Sequence, residues 1–363
     1  MNDVTRAQPS ATSATMRAWR VHEWGQPADV LQMDTVPVPE PGPGELRVHV
    51  HAIPLNLNDM ERITGKNMMV VPELPCTPGM EVMGVVDACG PGAEEWLGAR
   101  VVATTRGASG GYADYAICPT VSAFVMPEDI ALPDAAALYF PFHLAWLGLF
   151  ERAELVAGES VLVHAAAGGS GSAAVQLAVD AGATVFATAG TDEKVQLCRD
   201  LGAHTAINYR TEDFAERVLA ETDGRGVDVV FDNVGDAVFD QSLRSIAYNG
   251  RFLMMGYASD KSKADEPSIV PRRVIAANIK LCGVLLAYAE PEFAAMVKQA
   301  MGFNFLPRGT GQRITDSIVE LVRAGRVRPV IGQQVEFEDI PAAIEAMFQR
   351  RTMGRTIVDM HRN

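Results

Sequence analysis

The sequence predicts an α/β fold: a doubly wound parallel sheet joined to a second, β-rich unit. Three observations predict it. Between about residues 151 and 287, short apolar strands alternate with helix-like segments about ten residues long. Within that region Val161-Leu162-Val163 shows no polar alternation, as expected of a strand covered on both faces. From Met16 to about Thr120, by contrast, the chain is dense in Pro and Gly and leaves no space for crossover helices between its strands.

In chain order, residues 46–52 alternate at period two as a half-buried strand, after an extended loop carrying Pro37, Pro39, Pro41 and Pro43. Residues 82–89 and 100–104 read as further strands. The second unit opens with the strand 161–163 and a glycine turn, followed by a helix at 172–180. Strands at 185–188, 206–208, 227–231, 251–255 and 279–286 then alternate with helices at 192–201, 212–221 and 239–246. Past Tyr288 come helices at 292–301 and 316–324 and a strand at 356–358. That tail is too short for its own core and is expected to pack back on the first unit. The expected division is a disordered leader over 1–15, a catalytic unit over 16–148 and 288–363, and a nucleotide unit over 149–287.

The 363 residues suit two domains of about 100–200 residues each. An excess of 45 acidic over 31 basic residues gives a net charge of −14, which opposes a phosphate backbone, so no nucleic-acid partner is expected. The longest apolar run, 135–150, is interrupted by Pro141 and His143 and falls short of the roughly 20 residues of a membrane span. A buried helix and no membrane partner follow. Cys76, Cys89, Cys118, Cys198 and Cys282 are too scattered for a disulfide framework, which suggests a reducing, cytoplasmic setting.

The sharpest chemical signal is Val161-Leu162-Val163-His164-Ala165-Ala166-Ala167-Gly168-Gly169-Ser170-Gly171. A glycine turn between a strand and a helix lets backbone N–H groups approach a pyrophosphate at the positive end of the helix. A carboxylate about 20 residues further on would hold the ribose hydroxyl of NAD. Here that place is the uncharged Thr188-Ala189-Gly190-Thr191, with Lys194 within one helical turn. A neutral loop beside a cation suits the 2′-phosphate of NADPH, which is the expected cofactor.

Several signatures together resemble the medium-chain dehydrogenase/reductase superfamily, in its zinc-independent quinone oxidoreductase (zeta-crystallin-like) branch. They are Pro78-Gly79-Met80-Glu81-Val82-Met83-Gly84-Val85-Val86, the fingerprint 158–169, Leu201-Gly202-Ala203 followed by Asn208-Tyr209-Arg210, and Gly325-Arg326-Val327-Arg328-Pro329-Val330-Ile331. The resemblance implies a GroES-like catalytic domain beside a Rossmann domain, with the active site between them. It implies reduction of a quinone or an α,β-unsaturated carbonyl by NADPH, and a homodimer built on the edge strand 278–286. By resemblance, Gly168, Gly169, Ser170 and Gly171 meet the pyrophosphate, and Thr188, Lys194 and Tyr209 lie toward the 2′-phosphate. Asn233, Gly256, Tyr257, Gly283 and Leu285 would line the nicotinamide half. Where zinc-dependent relatives carry a Cys and a His ligand, this chain has Asn56 and Met80, so no metal is expected.

Hydride addition to an enone needs close approach, a donor for the charge growing on oxygen, and a proton. Asn56 is the candidate donor or positioning group, with a helix cap as its alternative role. The family often has a tyrosine five residues later. Glu61 stands there instead, and an acidic side chain neither donates at neutral pH nor favours an anionic intermediate. Tyr139, Tyr257 and Tyr288 are candidate replacement donors, and solvent can also supply the proton. The stretch 301–311 is expected to be a lid. An enoyl-thioester reductase, with Arg308 or Arg313 on a carrier phosphate, and a dinucleotide-binding protein without turnover remain alternatives.

Overall fold

The structure is a computed structural model that describes residues 14–66, 71–256 and 271–361. It opens with β1 (Thr15–Val21), paired antiparallel with β2 (Leu31–Pro37) in a two-stranded ribbon. Thr15, at the end of the expected leader 1–15, pairs instead with Pro37 in this ribbon, and residues 1–13 lie outside the described residues.

β3 (Glu45–Pro54) forms where the period-two pattern predicts, with Leu46, Val48, Val50 and Ala52 on its buried face. It pairs with β4 (Glu81–Cys89), which pairs with β5 (Arg100–Thr104). β6 (Tyr115–Pro119) lies against β3, and β7 (Ala123–Val125) against β5. The apolar run then becomes helical over Asp134–Ala137 and Tyr139–Trp146, and ends in a π-helical turn, Leu147–Arg152.

The second sheet holds β8 (Ser160–Val163), β9 (Thr184–Ala189), β10 (Thr205–Asn208), β11 (Val227–Asp232), β12 (Ile246–Met254) and β13 (Lys280–Gly283). Their spatial order is β10-β9-β8-β11-β12-β13, all parallel. The order reverses between β8 and β11. That switch point opens a crevice at the carboxyl ends of the strands, where such folds bind ligands.

Three helix starts differ from the expectation. The helix expected at 172 begins with the glycine turn itself, Gly169–Asp180. The one expected at 239 begins at Asp236. Phe214–Glu221 starts two residues later than expected because the Asp213 carboxylate caps it, accepting from the Ala215 and Glu216 N–H groups. The strand expected to run to 286 stops at Gly283, and Val284 to Leu286 turn toward the crevice.

The tail carries helices Pro291–Met301 and Arg308–Arg323, β14 (Ile331–Val335), helix Ile340–Phe348 and β15 (Arg355–Asp359). β15 runs parallel to β14 and antiparallel to β3, with Ile357 opposite Pro54, so the tail completes the first sheet. Phe337, Ile340 and Ile344 share a core with Leu46, Ile53 and Val82. The expected lid, 301–311, is a loop only over 302–307. Residues 308–313 are the first turns of a 16-residue helix, and Leu306 is pinned between the Ala287 carbonyl and the Ala289 N–H.

Candidate active site

The helix Gly169–Asp180 leaves its first amides without intrahelical partners, and Gly169, Ser170 and Gly171 turn them toward a cleft of about 470 Å³. Glycine is needed here for close approach. A Cβ on Gly171 would lie 2.2 Å from the Ala165 carbonyl oxygen, and one on Gly169 would lie 2.8 Å from Arg355 Cδ. The ends of three neighbouring strands complete this wall through Asn233, Gly256 and Leu285. Gly283 is not among the lining residues; its carbonyl accepts from Arg152 Nε at 3.2 Å. Tyr257 lies outside the described residues.

The opposite wall comes from the β-rich unit: Asn56, Glu61, Arg62 and Met80, with Leu55, Leu57, Phe140 and Leu144 as apolar surface. Asn56 is buried, and its Nδ2 donates to the Pro54 carbonyl and to Glu81 Oε2, each at 3.0 Å. Its Oδ1 accepts from Arg355 Nη1 at 2.9 Å. It is therefore not a helix cap. Both amide protons are committed, so Asn56 presents a fixed dipole to the cleft, as a positioning group does.

Arg355 also lines the cleft, with no motif in the sequence to mark it. Its Nη2 pairs with Glu81 at 2.6 Å, while its buried Nε has no partner among the described residues. Gly354 forms a bridge with Gly168, and its N–H donates to the Ala167 carbonyl, which seats Arg355 beside the glycine turn. Nothing in local spacing marks it, because Asn56 lies 299 positions away.

Tyr139 does not reach the cleft. Its ring is buried against Phe124 and His143, and its hydroxyl is engaged with Thr104 Oγ1 at 2.9 Å. Burial raises its phenol well above the ordinary value. Tyr288 is similarly committed, to His143 Nδ1 at 2.8 Å. Arg308 packs over Trp96 and bonds the Thr120 carbonyl and Gln312, while Arg313 pairs with Glu151; neither lines the cleft.

At the far end of β9, Thr188 is buried with its hydroxyl on His164 Nδ1 at 2.9 Å, so its side chain serves the core rather than the cleft. Lys194 begins the next helix, its N–H donating to Thr191 Oγ1 and its Nζ to the Arg350 carbonyl. Burial lowers the Lys194 pKa, and the nearby charges of Arg210 and Arg350 lower it further. Three cations thus share this corner. Two carboxylates lie nearby: Glu193, whose charge opposes the lowering of Lys194, and Asp192, which accepts from Asn208 Nδ2 at 2.7 Å. Tyr209 closes over Gly190, where a Cβ would lie 2.6 Å from the hydroxyl oxygen.

Zinc does not suit the donors present. Asn56 is bonded at both ends of its amide, Met80 offers a thioether, and no group of three His, Cys, Asp or Glu suited to a metal gathers among the described residues.

Comparison with known proteins agrees with this architecture. A profile described as alcohol dehydrogenase GroES-like domain matches residues 42–128, and one described as zinc-binding dehydrogenase matches 169–301. The chain is 30% identical over 334 residues to the quinone oxidoreductase of Lama guanicoe, covering 91% of this chain and 93% of that protein. To the human quinone oxidoreductase it is 29% identical, with the same coverage. Among solved structures, mycobacterial Rv1454c complexed with NADPH superposes with a TM-score of 0.81 at 30% identity, covering 94% of this chain and 99% of that one. The Escherichia coli quinone oxidoreductase complexed with NADPH also gives 0.81, at 26% identity over 95% and 100% of the two chains. A cleft built by two unlike sheets, a glycine cradle at a Rossmann switch point and relatives matched over nearly their full length lead to one conclusion: this chain belongs to the zinc-independent quinone oxidoreductase (zeta-crystallin-like) branch of the medium-chain dehydrogenase/reductase superfamily.

Proposed function

We propose that this protein is an NADPH-dependent oxidoreductase that passes hydride to a quinone or an α,β-unsaturated carbonyl compound, without a metal. One observation carries the reading: a single cleft joins the glycine turn on one wall to Asn56 and Glu61 on the other. Relatives named quinone oxidoreductase and neighbours solved with NADPH support it.

The residues present fit the cofactor. The glycine cradle lacks the side chains that would fill it, the buried Arg355 Nε lacks an acceptor among the described residues, and Lys194, Arg210 and Arg350 crowd like charge where a phosphate would relieve it. When bound, NADPH supplies the hydride. The amides of Gly169, Ser170 and Gly171, with Arg355, hold its pyrophosphate. Lys194, Tyr209 and Arg350 take the 2′-phosphate, while Asn233, Gly256 and Leu285 bound the nicotinamide half. Asn56 and Glu61 face the substrate. Leu55, Phe140 and Leu144 exclude water from the reacting carbon. The hydroxyls of Tyr139 and Tyr288 are committed inside the core, which leaves solvent or Tyr257, outside the described residues, as the proton source.

The domain division 16–148 with 288–363 around 149–287 is part of the proposal, supported by the strand membership of the two larger sheets. So is a homodimer through β13, the edge strand of the parallel sheet, where Leu281 is exposed. A cytoplasmic setting is supported by five free cysteines.

The test is NADPH oxidation with a benzoquinone, a small enone and crotonyl-CoA in parallel. Turnover of the first two is expected. No oxidation with any of the three sinks the reading, and a clear preference for crotonyl-CoA moves it to thioester reduction.

A further inference from the structure

We infer that Asp59 is the positioning residue of the substrate wall: its buried carboxylate ties the Asn56 and Met80 segments together at one point. This deepens the reductase reading and rests on it. Asp59 is fully buried and is not among the cleft-lining residues. Its Oδ2 accepts from the Asn56 N–H at 3.0 Å and from the Tyr112 hydroxyl at 2.9 Å. Its Oδ1 accepts from the Met80 N–H at 2.9 Å.

Two of those three donors belong to residues that line the cleft. Asn56 follows β3 and Met80 precedes β4, but the ladder between these strands ends at Ala52 and Met83. Beyond that pair the segments leave the sheet, and Asp59 joins them where backbone pairing no longer does. Tyr112 belongs to the same block. Its N–H donates to the Pro78 carbonyl, and its ring packs so closely on Gly79, which has φ +99°, that a Cβ there would lie 2.4 Å from Tyr112 Cδ1.

Three donors converging on two oxygens require a group that only accepts. An asparagine would aim two N–H groups at donors. Burial pushes the Asp59 carboxyl up to about 6, against the opposing pull of Arg62 and of the three donors. The charged and titratable groups around it are Arg62 on its own helix and Tyr112 from the segment before β6, with Arg355 acting on Tyr112 in turn. The desolvation borne by this carboxylate is offset by holding the wall in register, and a small misplacement of a reacting pair is costly in rate.

Asp59→Asn and Tyr112→Phe test the role, with calorimetric NADPH affinity, thermal unfolding, and KM and kcat for a benzoquinone measured on each. For Asp59→Asn the expected result is a rise of about tenfold or more in quinone KM, with NADPH affinity within about twofold of wild type. Tyr112→Phe should move quinone KM the same way by about threefold, since two of the three donors remain. A lower unfolding temperature with unchanged KM in the surviving enzyme marks a merely structural residue and overturns the inference. Should Asp59→Asn fail to fold, Tyr112→Phe decides, and a wild-type KM there overturns the role. An active wild type with unaltered variants removes the Asp59 role alone. A wild type that reduces no quinone removes the functional reading and this role with it.

Discussion

Arg355 and Glu81 form an ion pair with Nη2 and Oε2 2.6 Å apart, and their side chains are only 7% and 0% exposed. The pair binds β15 to β4 beneath the cleft and leaves Arg355 Nε, beside the glycine turn, unpartnered among the described residues. Removing one member strands a buried charge. Arg355→Met is therefore expected to cost about 3–5 kcal/mol of unfolding free energy, much of it recovered when Glu81→Met is added. Urea denaturation of both variants checks this, and a single-variant loss below about 1 kcal/mol contradicts the pair's status as buried and coupled.

Lys194→Ala should weaken NADPH binding by about tenfold or more while leaving NADH binding nearly unchanged, since only the former carries the extra phosphate. Calorimetry with both cofactors reads the difference. An equal loss for the two would place Lys194 elsewhere than at the 2′-phosphate.

Gly171→Ala introduces a methyl group 2.2 Å from the Ala165 carbonyl oxygen, so the turn must open to admit it. The expected outcome is a folded protein, destabilised by about 1–3 kcal/mol, that no longer binds NADPH measurably. Retained affinity would show that the pyrophosphate sits away from this turn.

Acid should destabilise the fold through two buried histidines. His143 bonds Tyr288 and Thr315, His164 bonds Thr188 and Ser242, and burial lowers each to about 3. The unfolded chain protonates them near the ordinary 6.5, the folded chain only near 3, so stability is lost as pH falls between those values. Each fully titrating group contributes about 1.4 kcal/mol per pH unit. Asp59 works against this trend: with its folded value raised to about 6, it favours the folded state as pH falls from about 6 toward 4. Urea midpoints measured from pH 7 to 4 should fall, and the slope should flatten in His164→Gln. A flat wild-type profile would mean that the imidazoles are not buried neutral.

Leu281→Lys places a charge on the exposed face of β13 and should give a monomer by sedimentation at micromolar concentration. An unchanged dimer would locate the interface on another surface.

What could be read in the sequence was local. The unbroken apolar run of β8 and the glycines that follow it report their own environment, and the period-two pattern of β3 does the same. Thr188 and Tyr139 show the limit: a hydroxyl near a motif looks available until His164 and Thr104 are seen to hold it. Gly309 and Gly311 suggest a loop by propensity, yet they lie in the first turns of the helix Arg308–Arg323. There a Cβ on Gly311 would meet the Phe124 ring at 2.3 Å, so the glycine answers to packing. Thr352 and Arg355 reach the cleft only because the tail crosses back to the first sheet, a long-range event that no window of neighbouring residues encodes.

That crossing also sets an order of events at the ribosome. The end of β3, which precedes the whole parallel sheet in the chain, takes its β15 partner from residues 357–359, which follow it. The whole parallel sheet is made in between. The flank of β3 next to Asn56 must therefore stay open until a strand made after the whole parallel sheet arrives, and the nucleotide-binding half can assemble before the substrate half is sealed.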